Sequence, residues 1–157
     1  MTLLLVRLDD RLIHGQVVVG WGRALAANHV VLVDDRVRAS DWEQDLFRLG
    51  MPAEVSLAFV SVDEAVQQVS EWVSSHRRTV VVMGDVDTLV RLADRAPAIH
   101  EVNLGGVHRK PGRRELLPSL FLSPEEEHAL RGLAGRGLRV SAQDVPTAHA
   151  VSLGDLA

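Results

Sequence analysis

Short apolar runs alternate along the chain with longer amphipathic segments. Each run is rich in valine, leucine or isoleucine and is bounded by charged or turn-forming residues. This pattern is typical of strands that are buried on both faces of a parallel sheet. The runs predict strands at Thr2–Leu8, Val30–Val33, Val55–Val60, Thr79–Met83, Ile99–Leu104 and Leu138–Gln143.

The amphipathic segments predict helices, and two of these helices have clear start signals. Ser61–Val73 begins with a serine that Glu64 follows three residues later, the residue pair of a capping box. Ser123-Pro124-Glu125-Glu126 combines a cap, a first-turn proline and first-turn acids. We therefore expect a helix from Ser123 to about Gly135.

Two further helices are indicated by caps and apolar spacing. Asp85 or Asp87 could cap a helix over Thr88–Ala96, and Ser40–Leu49 has apolar residues at helical spacing. Trp42, Leu46 and Leu49 share this spacing. The three tryptophans on predicted helix faces, Trp21, Trp42 and Trp72, are expected to be core residues rather than binding platforms.

The alternation of strands and helices predicts a single doubly wound α/β domain across residues 1–157, with right-handed connections. Its packed core is expected over about residues 2–145, and the tail after Pro146 is expected to be irregular. The segment from Pro111 to Leu122 interrupts the rhythm. It is expected to contain a short strand, Glu115–Leu122, with no full helix before it.

Composition and charge narrow the range of functions. The chain has a net charge of -4 and a pI of about 5.9. These values argue against a nucleic-acid binder, because such a protein needs a basic face. The absence of cysteine excludes disulfides, thiolate metal sites and cysteine nucleophiles. No apolar run is long enough to span a bilayer, and charges closely follow the apolar residues 2–6, unlike in a signal peptide. We therefore expect a cytoplasmic protein.

Nucleotide and metal sites find no support in the sequence. Neither glycine-rich nucleotide motif, G-x-G-x-x-G or G-x-x-x-x-G-K-[ST], is present. The histidines lack the short spacings of metal ligands. We expect neither a cofactor nor a metal.

The loop after the first strand contains the strongest chemical candidate. Open α/β sheets bind ligands at the carboxyl ends of their strands, and Arg7, Asp9, Asp10, Arg11 and His14 follow one another there. A neutral imidazole can attack a phosphoryl group, and arginine can hold phosphate through paired donors. The competing hypothesis is a loop histidine among solvated charges.

The neighbours of His14 suit either phosphate or a partner protein. A helix beginning near Gly15 would direct backbone amides toward bound phosphate, and glycine there permits close approach. Val17, Trp21 and Leu25 predict the inward face of this helix, although Gly20 and the valine run weaken it. Asp9 or Asp10 could fix the histidine tautomer or hold an arginine.

The segment Arg7–Val17, RLDDRLIHGQV, resembles the active-site loop of IIB components in the mannose/fructose/sorbose family of the sugar phosphotransferase system, R-[IVL]-D-[DS]-R-L-I-H-G-Q-V. Weaker similarities extend over roughly residues 2–150. They comprise VLVDDRV at Val31–Val37, VNLGGVH at Val102–His108 and DVPT at Asp144–Thr147.

The resemblance implies a phosphocarrier enzyme, a protein-histidine–sugar phosphotransferase. His14 would accept phosphate on Nδ1 from a phosphohistidine of a IIA protein, expected on a separate chain. It would then transfer the phosphate to a sugar entering through the membrane components IIC and IID, which largely determine the choice of sugar. Contact with the membrane would come only through these partners. The implied fold is an open, mainly parallel sheet of about seven strands with helices on both faces.

The resemblance also implies roles for the residues around His14. Arg11, and with it Arg7, would steady the phosphate, and Asp9, Asp10, Gly15 and Gln16 would support the phosphate or the loop. The possible border of the site comprises Met83, Gly84, Asp85, Gly105 and Gly106.

A second function for the loop and the role of one basic cluster stay open. The same loop would serve a regulatory module whose phosphorylation signals sugar flux without its own transport partner. His108 and the basic cluster Arg109–Arg114 could meet an acidic partner, add positive potential near the site, or form a solvated turn.

Overall fold

The computed structural model describes residues 3–156, apart from the side chain of Gln16. A seven-stranded sheet forms the centre of the molecule. Its strands are β1 (Leu3–Leu8), β2 (His29–Val33), β3 (Ser56–Val60), β4 (Thr79–Met83), β5 (Glu101–Leu104), β8 (Arg139–Ala142) and β9 (Val151–Ser152). The spatial order is β3-β2-β4-β1-β5-β8-β9, and every pairing is parallel except that of β8 with β9. The predicted fold class is thus confirmed.

Helices lie on both faces of this sheet. The chain continues from β1 into a π-helical segment (Gln16–Trp21) and a short α1 (Gly22–Ala24). The later helices are α2 (Asp35–Arg38), α3 (Asp41–Leu49), α4 (Val62–Ser74), α5 (Val86–Arg95) and α6 (Pro124–Gly135). No helix among residues 3–156 is long and apolar enough to cross a membrane.

Three of the predicted caps form the expected hydrogen bonds, whereas Ser40 precedes α3 without a side-chain hydrogen bond to it. Ser61 and Ser123 each accept a hydrogen bond from the backbone of the glutamate three residues later, and that glutamate bonds back to the serine amide. Asp85, rather than Asp87, caps α5 by accepting from the Thr88 amide at 2.7 Å.

The direction of each connection determines which face a helix covers. From β1 to β2 and from β2 to β3 the chain moves toward one edge of the sheet, and from β3 onward it moves the other way. Right-handed crossovers therefore place α1 to α3 on one face and α4 to α6 on the other. The larger core lies under α4, α5 and α6 and includes Val69, Trp72, Leu89, Leu92 and Leu130.

This topology creates a crevice above β1. The chain leaves β1 toward one face, whereas it leaves the neighbouring strands β4 and β5 toward the other. At such a switch point the loops diverge and leave a concave space at the carboxyl ends of the strands. The loop containing His14 begins at this point.

Two predicted segments differ from expectation. The expected strand Glu115–Leu122 is a hairpin of β6 (Arg114–Leu117) and β7 (Leu120–Leu122), because Pro118 and Ser119 turn the chain back. The tail after Pro146 is irregular only as far as Ala150. After it β9 pairs with β8, and Leu153 of the following 3₁₀ turn is buried.

The expectation that Trp42 lies in the core is wrong, since 67% of this side chain is exposed. Leu46 and Leu49, on the same stripe of α3, are also exposed. Gln44 instead faces inward and donates to the carbonyls of Val37 and Arg38 at 3.0 and 2.9 Å. These carbonyls end α2 and need donors, and the partly buried Phe47 packs beside Phe59. The side of α3 that carries Gln44 and Phe47 is therefore turned toward the protein.

Candidate functional site

The loop from Asp9 to His14 is attached to the ends of both neighbouring strands. The Asp9 amide donates to the carbonyl of Met83, which ends β4, at 2.8 Å. The Asp10 amide donates to the Gly106 carbonyl, just beyond β5, at 2.8 Å. Leu12 adopts a left-handed conformation with φ of 57°. These constraints fix the path of the loop before it reaches His14.

His14 lies at the exposed end of this loop, immediately before the helix. Its carbonyl accepts hydrogen bonds from the amides of Val17 and Val18, both at 2.9 Å. Gly15 is exposed as well, and a Cβ added there would meet no atom within 4 Å. The space beside Gly15 is therefore open.

The helix after His14 has the predicted inward face but a different winding. Val17 and Trp21 are buried and Leu25 is partly buried. The first part is a π-helix rather than an α-helix. Consecutive valines and glycines disfavour the regular α-helix, and π turns are frequent at functional sites.

Two arginines flank one buried carboxylate beneath the loop. Asp9 is fully buried, and its Oδ1 and Oδ2 accept hydrogen bonds from Arg11 Nε and an Arg11 terminal nitrogen at 2.8 and 2.6 Å. Arg7 Nε donates to the same Oδ2 at 3.2 Å. The Arg11 side chain, 18% exposed, reaches the surface, whereas Arg7 is 0% exposed. Of the predicted alternatives for Asp9, this geometry corresponds to holding an arginine.

Arg7 is enclosed by groups that saturate its guanidinium. Besides Asp9, it donates to the Asn103 side chain and to the carbonyls of Gln143 and Asp144, both at 2.8 Å. Its guanidinium also lies over the Trp21 ring, 4.6 Å from the ring centre. In this arrangement Arg7 supports the loop from below and has no exposed surface for a ligand.

The charges of these residues are strongly coupled. Burial would raise the pKa of Asp9, but the hydrogen bond from Arg11 and the charges of both arginines outweigh it and lower that pKa. Burial lowers the pKa of Arg7, and the hydrogen bond to Asp9 raises that of Arg11. Asp144 lies 3.6 Å from Arg11 as a second acid beside the two cations, and the charges of Asp144 and Asp10 also raise the pKa of Arg11. These acids keep Arg11 a cation, and its partly exposed side chain is the part of the cluster that a ligand can reach.

Three predicted glycines border the loop. A Cβ at Gly105 would overlap the Arg7 guanidinium and the Asp9 carboxylate. A Cβ at Gly106 would lie 3.0 Å from Arg11 Nε, and one at Gly84 would lie 2.7 Å from the Leu12 side chain. The absence of side chains here lets β4 and β5 approach the loop closely.

The loop also contacts His108, whose role the sequence leaves open. The His108 amide donates to Asp10 Oδ2 at 2.8 Å. The His108 ring places Nδ1 2.6 Å from Asp10 Oδ1, although these two atoms do not meet the geometry of a hydrogen bond. Asp10 therefore holds the segment after β5 against the loop that contains His14.

Most of the predicted site residues are brought together at the carboxyl end of β1. Asp85 is engaged in capping α5 instead, and the side chain of Gln16 lies outside the described part of the chain. No local sequence pattern indicates the supporting partners of Arg7, which are Asn103, Gln143 and Asp144. They lie far from the loop in sequence, and only the parallel pairing of β5 with β1 and β8 signals their proximity.

Comparison with known proteins identifies one family. The family model described as the sorbose subfamily IIB component of the phosphotransferase system matches residues 3–157. The N-acetylgalactosamine-specific phosphotransferase enzyme IIB component 1 of Escherichia coli K12 is 29% identical over 147 residues, covering 92% of this chain and 91% of that protein.

Solved structures agree with this match. The IIB domain of the sorbose permease from Klebsiella pneumoniae superposes with a TM-score of 0.88 at 25% identity, covering 99% of this chain and 95% of that one. An N-acetylgalactosamine IIB component from Streptococcus pyogenes has a TM-score of 0.90 at 23% identity, covering 99% and 97%, and shows the same fold.

Proposed function

Because the chain belongs to the sorbose subfamily of IIB components of the sugar phosphotransferase system, we propose that His14 receives phosphate from a IIA protein and transfers it to a sugar. The observation that supports this most directly is the position of an exposed histidine three residues after Arg11. Arg11 is held by Asp9 at the switch point of the sheet. Nucleophile and anion-binding cation thus share one constrained loop.

The first transfer moves phosphate between two imidazoles. The lone pair of His14 Nδ1 attacks the phosphorus of the donor phosphohistidine, and a new N–P bond forms as the donor N–P bond breaks. The electron pair of the broken bond returns to the donor imidazole. Each imidazole retains the proton on its other nitrogen. Such a step depends mainly on positioning and on stabilising charge.

The second transfer releases the phosphate to the sugar. A sugar hydroxyl oxygen attacks the phosphorus, and the N–P bond to His14 breaks with its electron pair returning to Nδ1. The hydroxyl proton passes to a base of the acceptor site or to water. Both reactions use the same exposed face, so donor and acceptor bind in turn.

Arg11 and Arg7 take different roles in this proposal. Arg11 is partly exposed and stabilises the charge on the transferred phosphate. Arg7 is a positioning residue, because its charge and hydrogen bonds orient Asp9, which in turn orients Arg11. IIB components in general work with IIA proteins and the membrane components IIC and IID, and we assign this chain the same partners and a cytoplasmic location.

Phosphotransfer from a IIA protein tests this proposal. A IIA protein of this family is charged with labelled phosphate from phosphoenolpyruvate and mixed with the chain. We expect acid-labile label on the wild-type protein and on His76→Ala, which removes an exposed histidine elsewhere, but none on His14→Ala. Label that persists on His14→Ala, or fails to reach the wild type from any IIA protein tried, contradicts the proposal.

A further inference from the structure

The segment from His108 to Arg113, called the basic loop here, is a constrained surface element. It begins at His108, which Asp10 holds by a hydrogen bond to its amide. It ends at Arg113, which donates to the His108 carbonyl at 2.9 Å and to both carboxylate oxygens of Glu126 at 2.9 Å. A turn with Gly112 at φ of 85° lies between these ends. The loop is therefore fixed at both ends before any partner binds.

The cations of this region fall into two groups. Arg113 and Arg114 are paired with Glu126 and Glu127, so their charges are largely neutralised. Arg109 and Lys110 are exposed, and among residues 3–156 no acid lies within ion-pair distance of either. The Arg109 guanidinium lies over the Phe121 ring, 5.5 Å from the ring centre, so its direction is set by the fold.

These two cations stand out against an acidic chain. The net charge is -4, and Lys110 is the only lysine in the sequence. Among the described residues, Arg23, Arg77 and Arg78 are also exposed with no acid at ion-pair distance, but Arg77 and Arg78 precede β4 at the amino ends of the strands, and Arg23 belongs to α1. The basic loop instead lies at the carboxyl ends of the strands, where a partner of His14 binds. A local charge of this kind orients an approaching partner and increases its rate of association.

The basic loop borders the phosphate-transfer site. Asp10, which contacts His108, belongs to the loop that contains His14, and the Asp10 amide bonds to the Gly106 carbonyl. Gly106 lies directly against Arg11. A protein docked on Arg109 and Lys110 therefore lies at the same edge of the sheet as His14.

We propose that the basic loop is a docking surface for an acidic patch on the phosphorylated IIA donor, with Arg109 and Lys110 making the electrostatic contacts. This inference rests on the proposed function. The donor is the partner that fits because it arrives carrying the negatively charged phosphate, whereas the phosphate is already on His14 when the membrane components IIC and IID bind. Two exposed cations on a shallow surface suit an electrostatic contact between proteins rather than a small-molecule pocket.

A charge-matched pair of variants tests this surface. Arg109→Ser/Lys110→Ser removes two charges beside the site. Arg136→Ser/Arg139→Ser removes two exposed charges near the amino ends of the strands, and so changes the net charge equally. The rate of phosphate transfer to His14 is measured against donor concentration at several salt concentrations, using the IIA donor that charges the wild type.

The variants are also phosphorylated with phosphoramidate, a small donor that needs no docking. We expect Arg109→Ser/Lys110→Ser to raise the half-saturating donor concentration about fivefold or more at low salt. The maximal rate and the phosphoramidate reaction stay near those of the wild type. Added salt should reduce the difference between this variant and the wild type, and the distant pair should behave like the wild type.

The possible failures are distinguishable. If both double variants respond equally to donor concentration while phosphoramidate labels His14 in each, the docking surface is wrong and the proposed function stands. If Arg109→Ser/Lys110→Ser lowers only the maximal rate, these cations act on the transfer itself and the docking surface is again wrong. If neither donor labels His14 in the wild type, both proposals fail.

Discussion

Asp9 holds the guanidinium of Arg11 through two side-chain hydrogen bonds of 2.8 and 2.6 Å, and does so from a fully buried position. A buried carboxylate thus orients a cation that reaches the protein surface. Paired, charge-assisted hydrogen bonds of this kind fix direction as well as distance. The relationship separates the proposed role of Arg11 in phosphate transfer from the contribution of Asp9 to folding, and the two residues should respond differently to substitution.

Arg11→Ala should reduce phosphate transfer much more than stability. The side chain reaches the surface, and Asp9 keeps its bond to Arg7 when Arg11 is removed. Loss of one charge-stabilising donor commonly slows an enzyme by about 100-fold or more. Arg11→Lys retains the charge but loses the paired donors, so its transfer rate should fall between those of the wild type and Arg11→Ala. The initial rate of label transfer and urea unfolding measure the two effects, and equal losses in both would make Arg11 structural.

Asp9→Asn should destabilise the fold by roughly 3–5 kcal/mol, because it leaves the buried Arg7 without its carboxylate. Asp10→Asn is the matched control, since Asp10 is partly exposed and its side chain accepts from the His108 amide rather than from the buried Arg7. Urea unfolding at pH 7 should show a much smaller loss for this variant. A similar loss for both would contradict the assigned role of Asp9.

Asp9 should also contribute to the acid sensitivity of the wild type. Its pKa is lower in the folded protein than in the unfolded chain, where an aspartate titrates near pH ~3.9. The stabilisation is therefore complete above that pH and is lost as the pH falls toward the folded-state pKa. The free energy of unfolding should decrease less in Asp9→Asn than in the wild type between neutral pH and pH ~3. Parallel pH profiles would show that Asp9 does not contribute.

Local sequence patterns predicted most of the strands and helices but fewer of the side-chain contacts between them. Strand β4 has the predicted bounds and α6 the predicted start, because valine runs and capping boxes are local signals. The burial of Arg7 has no local signal, since its partners Asn103 and Gln143 come from β5 and the segment after β8. The resemblance of the loop identified the family, whereas the supporting role of Arg7 depends on contacts between distant segments.

The apolar spacing of α3 predicts a stripe on the helix but not the direction in which the stripe faces. The spacing of Trp42, Leu46 and Leu49 predicted a stripe on one side of a helix, and the stripe exists. The spacing could not show that Gln44 bonds to the carbonyls at the end of α2. This bonding turns the stripe outward. Periodicity defines the faces of a helix, but the orientation depends on which polar groups require partners.

Replacement of Trp72 and Trp42 should distinguish a core tryptophan from an exposed one. Trp72 is 3% exposed in the main core and Trp42 is 67% exposed. Trp72→Ala should reduce the free energy of unfolding by about 3–5 kcal/mol, and Trp42→Ala should change it by less than about 0.5 kcal/mol. Urea unfolding measures both. A large loss in Trp42→Ala would show that α3 buries this side chain in solution.

Gly105→Ala should disrupt the site although the change adds a single methyl group. A Cβ at this position overlaps the Arg7 guanidinium and the Asp9 carboxylate, both fully buried, so neither can move without losing hydrogen bonds. We expect a loss of about 1–3 kcal/mol in stability together with slower phosphate transfer.

At Gly106 the nearest atoms belong to the partly exposed Arg11 side chain, which can shift by a few tenths of an ångström. Gly106→Ala should therefore retain most of its stability while transfer decreases. Gly132→Ala, in α6 with no atom near the added Cβ, should be more stable by about 0.5–1 kcal/mol. If Gly105→Ala and Gly106→Ala unfold at the same urea concentration, the close packing of β5 against Arg7 and Asp9 is not required for the fold.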